Sequence, residues 1–147
     1  MTTDKWSRVL QVSATLVGLY ALALVVLGPT ASRLFDVLGF GLRSGQVPAG
    51  APREYVLLIY GVLGSVLVGW MLLVAGLAAG PLRRGDREAW RAVVVAVAVW
   101  FVLDTSFALV MGSWQHALFN PAFLAALGVP LVGWRLASVT PRASVRR

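Results

Sequence analysis

The sequence predicts an all-α integral membrane protein, a four-transmembrane-helix bundle with a short outward-facing interfacial loop or helix. Three observations predict it. First, 59% of the 147 residues are hydrophobic and 13% charged, whereas a soluble domain carries about 25% charged residues. Second, the charges cluster at the N-terminus, near 33–54, near 83–91 and after 135, leaving four long stretches almost free of them. Third, the net charge of +7 is distributed unequally between alternate connections. An ordinary soluble globule and a disordered chain are thereby excluded, and the absence of cysteine removes a disulfide scaffold and thiolate chemistry. In so apolar a chain a basic balance points to an anionic membrane surface before it points to nucleic acid.

The first span is read at about 8–29. Val9–Gly28 is twenty residues without a charge, enough to cross about 30 Å of hydrocarbon at 1.5 Å per residue. Lys5 and Arg8 would also suit the basic start of a signal peptide, with small residues at Thr30-Ala31-Ser32 for cleavage. The apolar run exceeds the roughly 7–15 residues of a signal-peptide core, and Pro29 sits beside the cut. A retained helix is therefore expected.

The second span is read at 54–80 and stops at Gly80-Pro81. The third, at 88–113, is interrupted by Asp104 alone and is expected to start from an Asp86 N-cap with Glu88 in its first turn. The fourth, at 117–137, contains Pro121 and Pro130. Between the first two spans, residues 30–53 form the only sizeable connection. Ser32–Leu38 there reads as a short amphipathic helix capped by Thr30 or Ser32, and Pro48–Pro52 as irregular turns. This segment is too short for a domain of its own and is read as an interfacial lid, so that 1–147 is a single membrane domain. The basic tail, 138–147, is expected to attract anionic lipid headgroups at about 1 kcal/mol per arginine.

Four spans put both termini and the 81–91 connection on one side. That side holds Lys5, Arg8, Arg83, Arg84, Arg87, Arg91, Arg135, Arg142, Arg146 and Arg147; the other holds Arg33, Arg43 and Arg53. The positive-inside rule makes the first side cytoplasmic.

Asp104 is the residue that topology does not explain. It falls in the outer half of the third span, about 12 Å from its end at 1.5 Å per residue. A carboxylate at membrane depth costs about 2.5–3.5 kcal/mol even on the lenient insertion scale, and something must offset that. Two readings stand: a proton- or ligand-binding carboxylate, or a structural clasp between the third and fourth helices. Trp100 and Ala108 lie one turn away on the same face. His116 and Asn120 share a face of the fourth helix, with Asn120 expected within about a turn of Asp104. Asn120-Pro121 could instead cap a fourth helix that begins late, and His116 could be a solvated residue at the boundary. Tyr60 is a further candidate lining residue. No metal is expected, because a stable site takes three or four ligands and no motif spacing supplies them. No cofactor is expected either; the single histidine excludes bis-histidine haem ligation within the chain.

On the second span Gly61, Ser65 and Gly69 recur every four residues, a stripe that lets helix backbones approach within the bundle or in a homodimer. Trp6, Trp90, Trp114 and Trp134 fall near the expected interfaces, with Trp70 and Trp100 deeper. No Walker loop, nucleophile elbow, paired metal histidines or dinucleotide fingerprint is present. The basic tail lacks the interleaved aromatics of a nucleic-acid platform.

In size and layout the chain resembles small four-helix inner-membrane proteins of bacteria, and its twelve arginines against one lysine suit a high-GC genome. The resemblance is architectural. Small multidrug exporters carry a glutamate in the first helix, where Val9–Gly28 has no acid, and quinone-linked disulfide oxidases need cysteines. Three functions are therefore weighed for a multi-pass protein of the bacterial inner membrane. The first is binding or carriage of a lipid, another amphiphile or a proton at an outer-leaflet site around Asp104, Trp100, Asn120, His116 and Tyr60. The second is a non-catalytic accessory or assembly subunit that meets a second copy or other membrane subunits. The third is an enzyme with Asp104 and His116 as acid and base, which is ranked last because both groups must reach one substrate.

Overall fold

The computed structural model describes residues 2–28 and 53–139. It contains four helices: α1 (Thr3–Val26), α2 (Arg53–Ala79), α3 (Arg87–Val110) and α4 (Trp114–Val139). All four are long and apolar enough to cross a membrane, so the expected all-α four-helix class is the observed one. The expected amphipathic helix at 32–38, the turns at 48–52 and the arginines of the tail lie outside the described residues.

α1 begins five residues before the expected start. Thr2 caps it, its hydroxyl accepting from Lys5 N at 3.4 Å; Asp4 suits the positive N-terminal end and pairs with Arg8 at 3.0 Å. The polar residues before Arg8, outside the expected span, are therefore a capped helical turn. At its other end α1 stops at Val26, and Gly28 adopts φ +42°, which ends the helix just short of the expected boundary.

The buried positions of α1 are Ser7, Leu10, Ala14, Val17, Ala21 and Leu24. Their alternating spacing of three and four is the seam of a left-handed helix pair. Ala14 and Ala21 keep the seam narrow, and α2 meets it through Gly64: a Cβ there would lie 2.7 Å from the Ala21 carbonyl oxygen and 2.8 Å from Val25 Cγ2. The expected stripe does not perform this role. Gly61 and Gly69 have nothing within 4 Å of the place a Cβ would occupy, and Ser65 is exposed with its hydroxyl returned to Gly61 O. Gly61, Ser65 and Gly69 thus lie off the contact, which falls at Gly64, about 100° round the helix from Ser65.

α1 packs on α2 and on α4, and α4 packs on α3. The neighbour order is α2–α1–α4–α3, and the two end helices of that series do not pack along their length. Yet α2 and α3 are joined by the tight turn 80–86. Leu82 is fully buried in it, Gly85 takes φ +82°, and Asp86 caps α3 as expected, accepting from Glu88 N at 2.9 Å and Ala89 N at 3.1 Å. The turn is tied down from two sides. Trp134 Nε1 donates to Leu82 O at 3.0 Å, and Arg83 reaches Gln11 Oε1 at 2.9 Å and Asp4 at 3.6 Å. Trp134, placed at a lipid boundary by sequence, is only 1% exposed and belongs to the core.

α3 ends three residues early and α4 starts three residues early. Ser113 N bonds to Ala108 O at 2.8 Å and Gly112 N to Leu109 O at 3.0 Å, with Gly112 at φ +74°. This is the paired closure by which a left-handed glycine terminates a helix. Because α4 starts at Trp114, Asn120-Pro121 lies well inside it, and the alternative of a late cap at Asn120 is not formed.

Candidate functional site

Two layers of side chains fill the half of the bundle distant from the 80–86 turn. The first is aromatic and takes one ring from each helix: Tyr20 from α1, Trp70 from α2, Trp100 from α3 and Phe123 from α4. Trp70 and Trp100 have centroids 5.9 Å apart, Trp100 and Phe123 6.3 Å, and Phe123 and Tyr20 6.0 Å. Such tilted and edge-on contacts suit the ring quadrupoles.

The second layer lies one turn further from the 80–86 end and is polar. Asp104 follows Trp100 by four residues, and Asn120 precedes Phe123 by three. Asn120 Nδ2 donates to Asp104 Oδ2 at 2.7 Å and to Thr105 Oγ1 at 3.0 Å. His116 Nε2 lies 2.9 Å from the same Oδ2. An ionised carboxylate only accepts, so the nitrogen of the Asn120 amide must be the atom facing it. Both bonds fall on Oδ2, while the Asp104 side chain remains 35% exposed.

The two layers bound an open cavity of about 80 Å³. Its walls come from all four helices, with Leu67 and Trp70 on α2 facing Trp100 and Asp104 on α3. It occupies the seam where α2 and α3 fail to pack. Its lining is aliphatic and aromatic except for Tyr20, Asp104, His116 and Asn120.

Of the residues expected from sequence, Asp104, Trp100, Asn120 and His116 are brought together on this cavity. His116, read alternatively as solvated, is hydrogen-bonded and half-buried. Tyr60 is buried on α2 and is not among the lining residues. Tyr20 was missed. Its hydroxyl is, among the described residues, the buried side-chain polar atom without a hydrogen-bond partner. It lies three residues after Val17 and four before Leu24, both on the buried seam of α1. A tyrosine flanking a seam was the signal that could have found it.

Among the described residues no three His, Cys, Asp or Glu side chains converge to hold a metal ion. The chemistry available is hydrogen bonding and proton holding: an acceptor at Asp104 Oδ1, a hydroxyl at Tyr20, and an imidazole–carboxylate pair that can share a proton. Comparison with protein-family models, with curated proteins and with solved structures gave no match.

Proposed function

We propose that the protein binds or carries a lipid or other membrane amphiphile in the cavity between α2 and α3, with its polar head at Asp104. The observation that carries this reading is the pairing of a polar cluster with a ring-lined void. Asp104, His116 and Asn120 are linked to one another, yet Oδ1 of Asp104 has no hydrogen-bond partner among the described residues, and Tyr20, whose buried hydroxyl has none there either, lines the same space. A buried polar group without a partner costs about 1–3 kcal/mol, which a ligand atom or water removes. An acceptor-only carboxylate selects a head that donates, such as a hydroxyl, an amide or an ammonium group. The rings of Trp70, Trp100 and Phe123 would contact the apolar body. The Asp104–His116 pair would hold the proton if the cargo moves with one.

A second reading treats Asp104, Asn120 and Thr105 as a clasp between α3 and α4 in a non-catalytic accessory subunit. Asn120 favours it, being 1% exposed with both amide hydrogens spent inside the bundle. The substitution Asp104→Asn separates the two, since it nearly preserves shape while removing the charge. Wild type and variant would be purified in mild detergent, their retained lipids identified by mass spectrometry, and their unfolding followed across pH. The cavity reading expects loss of a specific lipid from the variant. The same lipids and the same stability at every pH would sink it.

The lysine and arginine count favours a bacterial inner membrane setting with both termini cytoplasmic, which places the cavity in the outer leaflet. A C-terminal tag accessible from the periplasm would reverse that placement.

A further inference from the structure

At the opposite end of the bundle a second hollow lies between the start of α3 and the end of α4. Its lining is Arg87, Trp90, Arg91, Trp134 and Arg135. The two indoles are stacked, with an interplanar angle of 16° and centroids 6.2 Å apart. Both have turned their N–H groups inward, Trp134 to Leu82 O at 3.0 Å and Trp90 to Leu131 O at 2.9 Å. The backbone therefore holds both rings. The Arg135 guanidinium carbon lies over the Trp90 ring, 5.8 Å from its centroid. Stacking on a ring engages the flat face of a guanidinium and leaves its in-plane N–H donors free for a forked contact with an oxyanion.

Three arginines thus line one hollow whose lining contains no carboxylate. Arg91 is paired with the neighbouring Glu88, while neither Arg87 nor Arg135 has an ion pair among the described residues. Arg87 and Arg135 are thus like charges on one hollow without an ion-pair partner there, and a bound anion relieves their repulsion. The hollow also lies at the polar ends of two membrane-spanning helices. One turn deeper on the same faces, Val95 follows Arg91 by four residues and Val132 precedes Arg135 by three, and both are exposed. A cationic rim leading to an apolar wall matches a phosphate joined to acyl chains better than a free anion.

We propose that Arg87, Arg91 and Arg135, arranged around the stacked indoles of Trp90 and Trp134, form a binding site for the phosphate headgroup of an anionic phospholipid. The site is separate from the cavity beside Asp104 and requires no particular orientation in the membrane. Its acyl chains run along Val95 and Val132. Arg135 is a stacked donor here, so its planar shape matters as well as its charge.

Native mass spectrometry of the full chain, released from nanodiscs of phosphatidylcholine with a minor share of phosphatidylglycerol, tests the site. Wild type should retain phosphatidylglycerol selectively. Arg87→Gln and Arg135→Gln should each reduce retention about fivefold, in line with the attraction of one arginine near an anionic surface. Arg135→Lys should also lose retention, because lysine keeps the charge without the fork. Arg84→Gln removes one charge from the same end but outside the hollow, and should retain the lipid. Three results overturn the proposal: equal loss in Arg84→Gln and Arg135→Gln, which means diffuse attraction; equal retention of phosphatidylcholine; or displacement of the lipid by millimolar inorganic phosphate, which makes the ligand a free anion. Circular dichroism of each variant confirms that the helices are intact.

Discussion

Asn120 of α4 donates to Asp104 of α3 at 2.7 Å, and this bond joins the two helices at the level where the membrane would penalise either group alone. The same amide also holds Thr105 of α3 at 3.0 Å, so one side chain satisfies two partners on the facing helix. His116, one turn earlier on α4, shares the carboxylate oxygen.

The first prediction concerns that bond. In a double-mutant cycle of Asp104→Ala and Asn120→Ala the two residues should couple by about 0.6–1.7 kcal/mol, the range found for polar pairs between membrane helices. The single Asn120→Ala should cost about 1–3 kcal/mol, because Asp104 keeps only His116. Denaturant titration in micelles measures both. Additive losses would mean that the two groups act independently.

Tyr20→Phe gives a signed test of the cavity. Without a ligand, deleting a buried hydroxyl that has no partner should be neutral or stabilising by up to about 1–3 kcal/mol. With a ligand that uses the hydroxyl, the same change should lower lipid retention. Thermal unfolding of delipidated and lipid-bound protein, run side by side, reads both effects.

Glycine replacements on α2 should have opposite signs five residues apart. Gly64→Ala drives a Cβ to within 2.7 Å of the Ala21 carbonyl oxygen and should destabilise by about 1–3 kcal/mol. Gly69→Ala meets nothing within 4 Å and should stabilise by up to about 1 kcal/mol through helix propensity alone. Equal effects in a thermal melt would place the α1–α2 contact elsewhere.

Trp134→Phe keeps a ring in the core but removes the donor to Leu82 O. The expected cost is about 1 kcal/mol overall. Hydrogen exchange should rise locally in the 80–86 turn, and uniform protection there would show that the bond does not hold the turn.

The number of helices was legible because charge-free runs of about twenty residues have few other solutions in a chain this apolar. The polar cluster was legible for a related reason: Asp104, His116 and Asn120 are costly at membrane depth, so each had to find a partner. What failed to show was direction. Hydropathy treats every face of a lipid-facing helix alike, and the four-residue spacing that singled out Gly61, Ser65 and Gly69 passed over the isolated Gly64. The alternation of Ser7, Leu10, Ala14, Val17, Ala21 and Leu24 was present in the sequence but hidden among equally apolar neighbours. The start of α4 at Trp114, three residues ahead of the expected 117, was hidden because the left-handed closure at Gly112 leaves little trace in hydropathy. Neither the pairing of α4 with α1 nor the separation of α2 from α3 is written in any local pattern, since both follow from how four seams share one core.

That separation has a mechanical consequence. The fastenings among the described residues are uneven: the end with the 80–86 turn is bound by Trp134 to Leu82, Trp90 to Leu131, and Arg83 to Gln11. Further out, the α2–α3 seam is spanned by the rings of Trp70 and Trp100. The arrangement is that of tweezers pinned at the base, with arms of about 30 Å set by the rise of 1.5 Å per residue. A rotation of about 5° at the pinned end displaces the tips by roughly 2.5 Å on arms of that length. Were the arms to turn at that base, the width beside Asp104 at the other end would change with them.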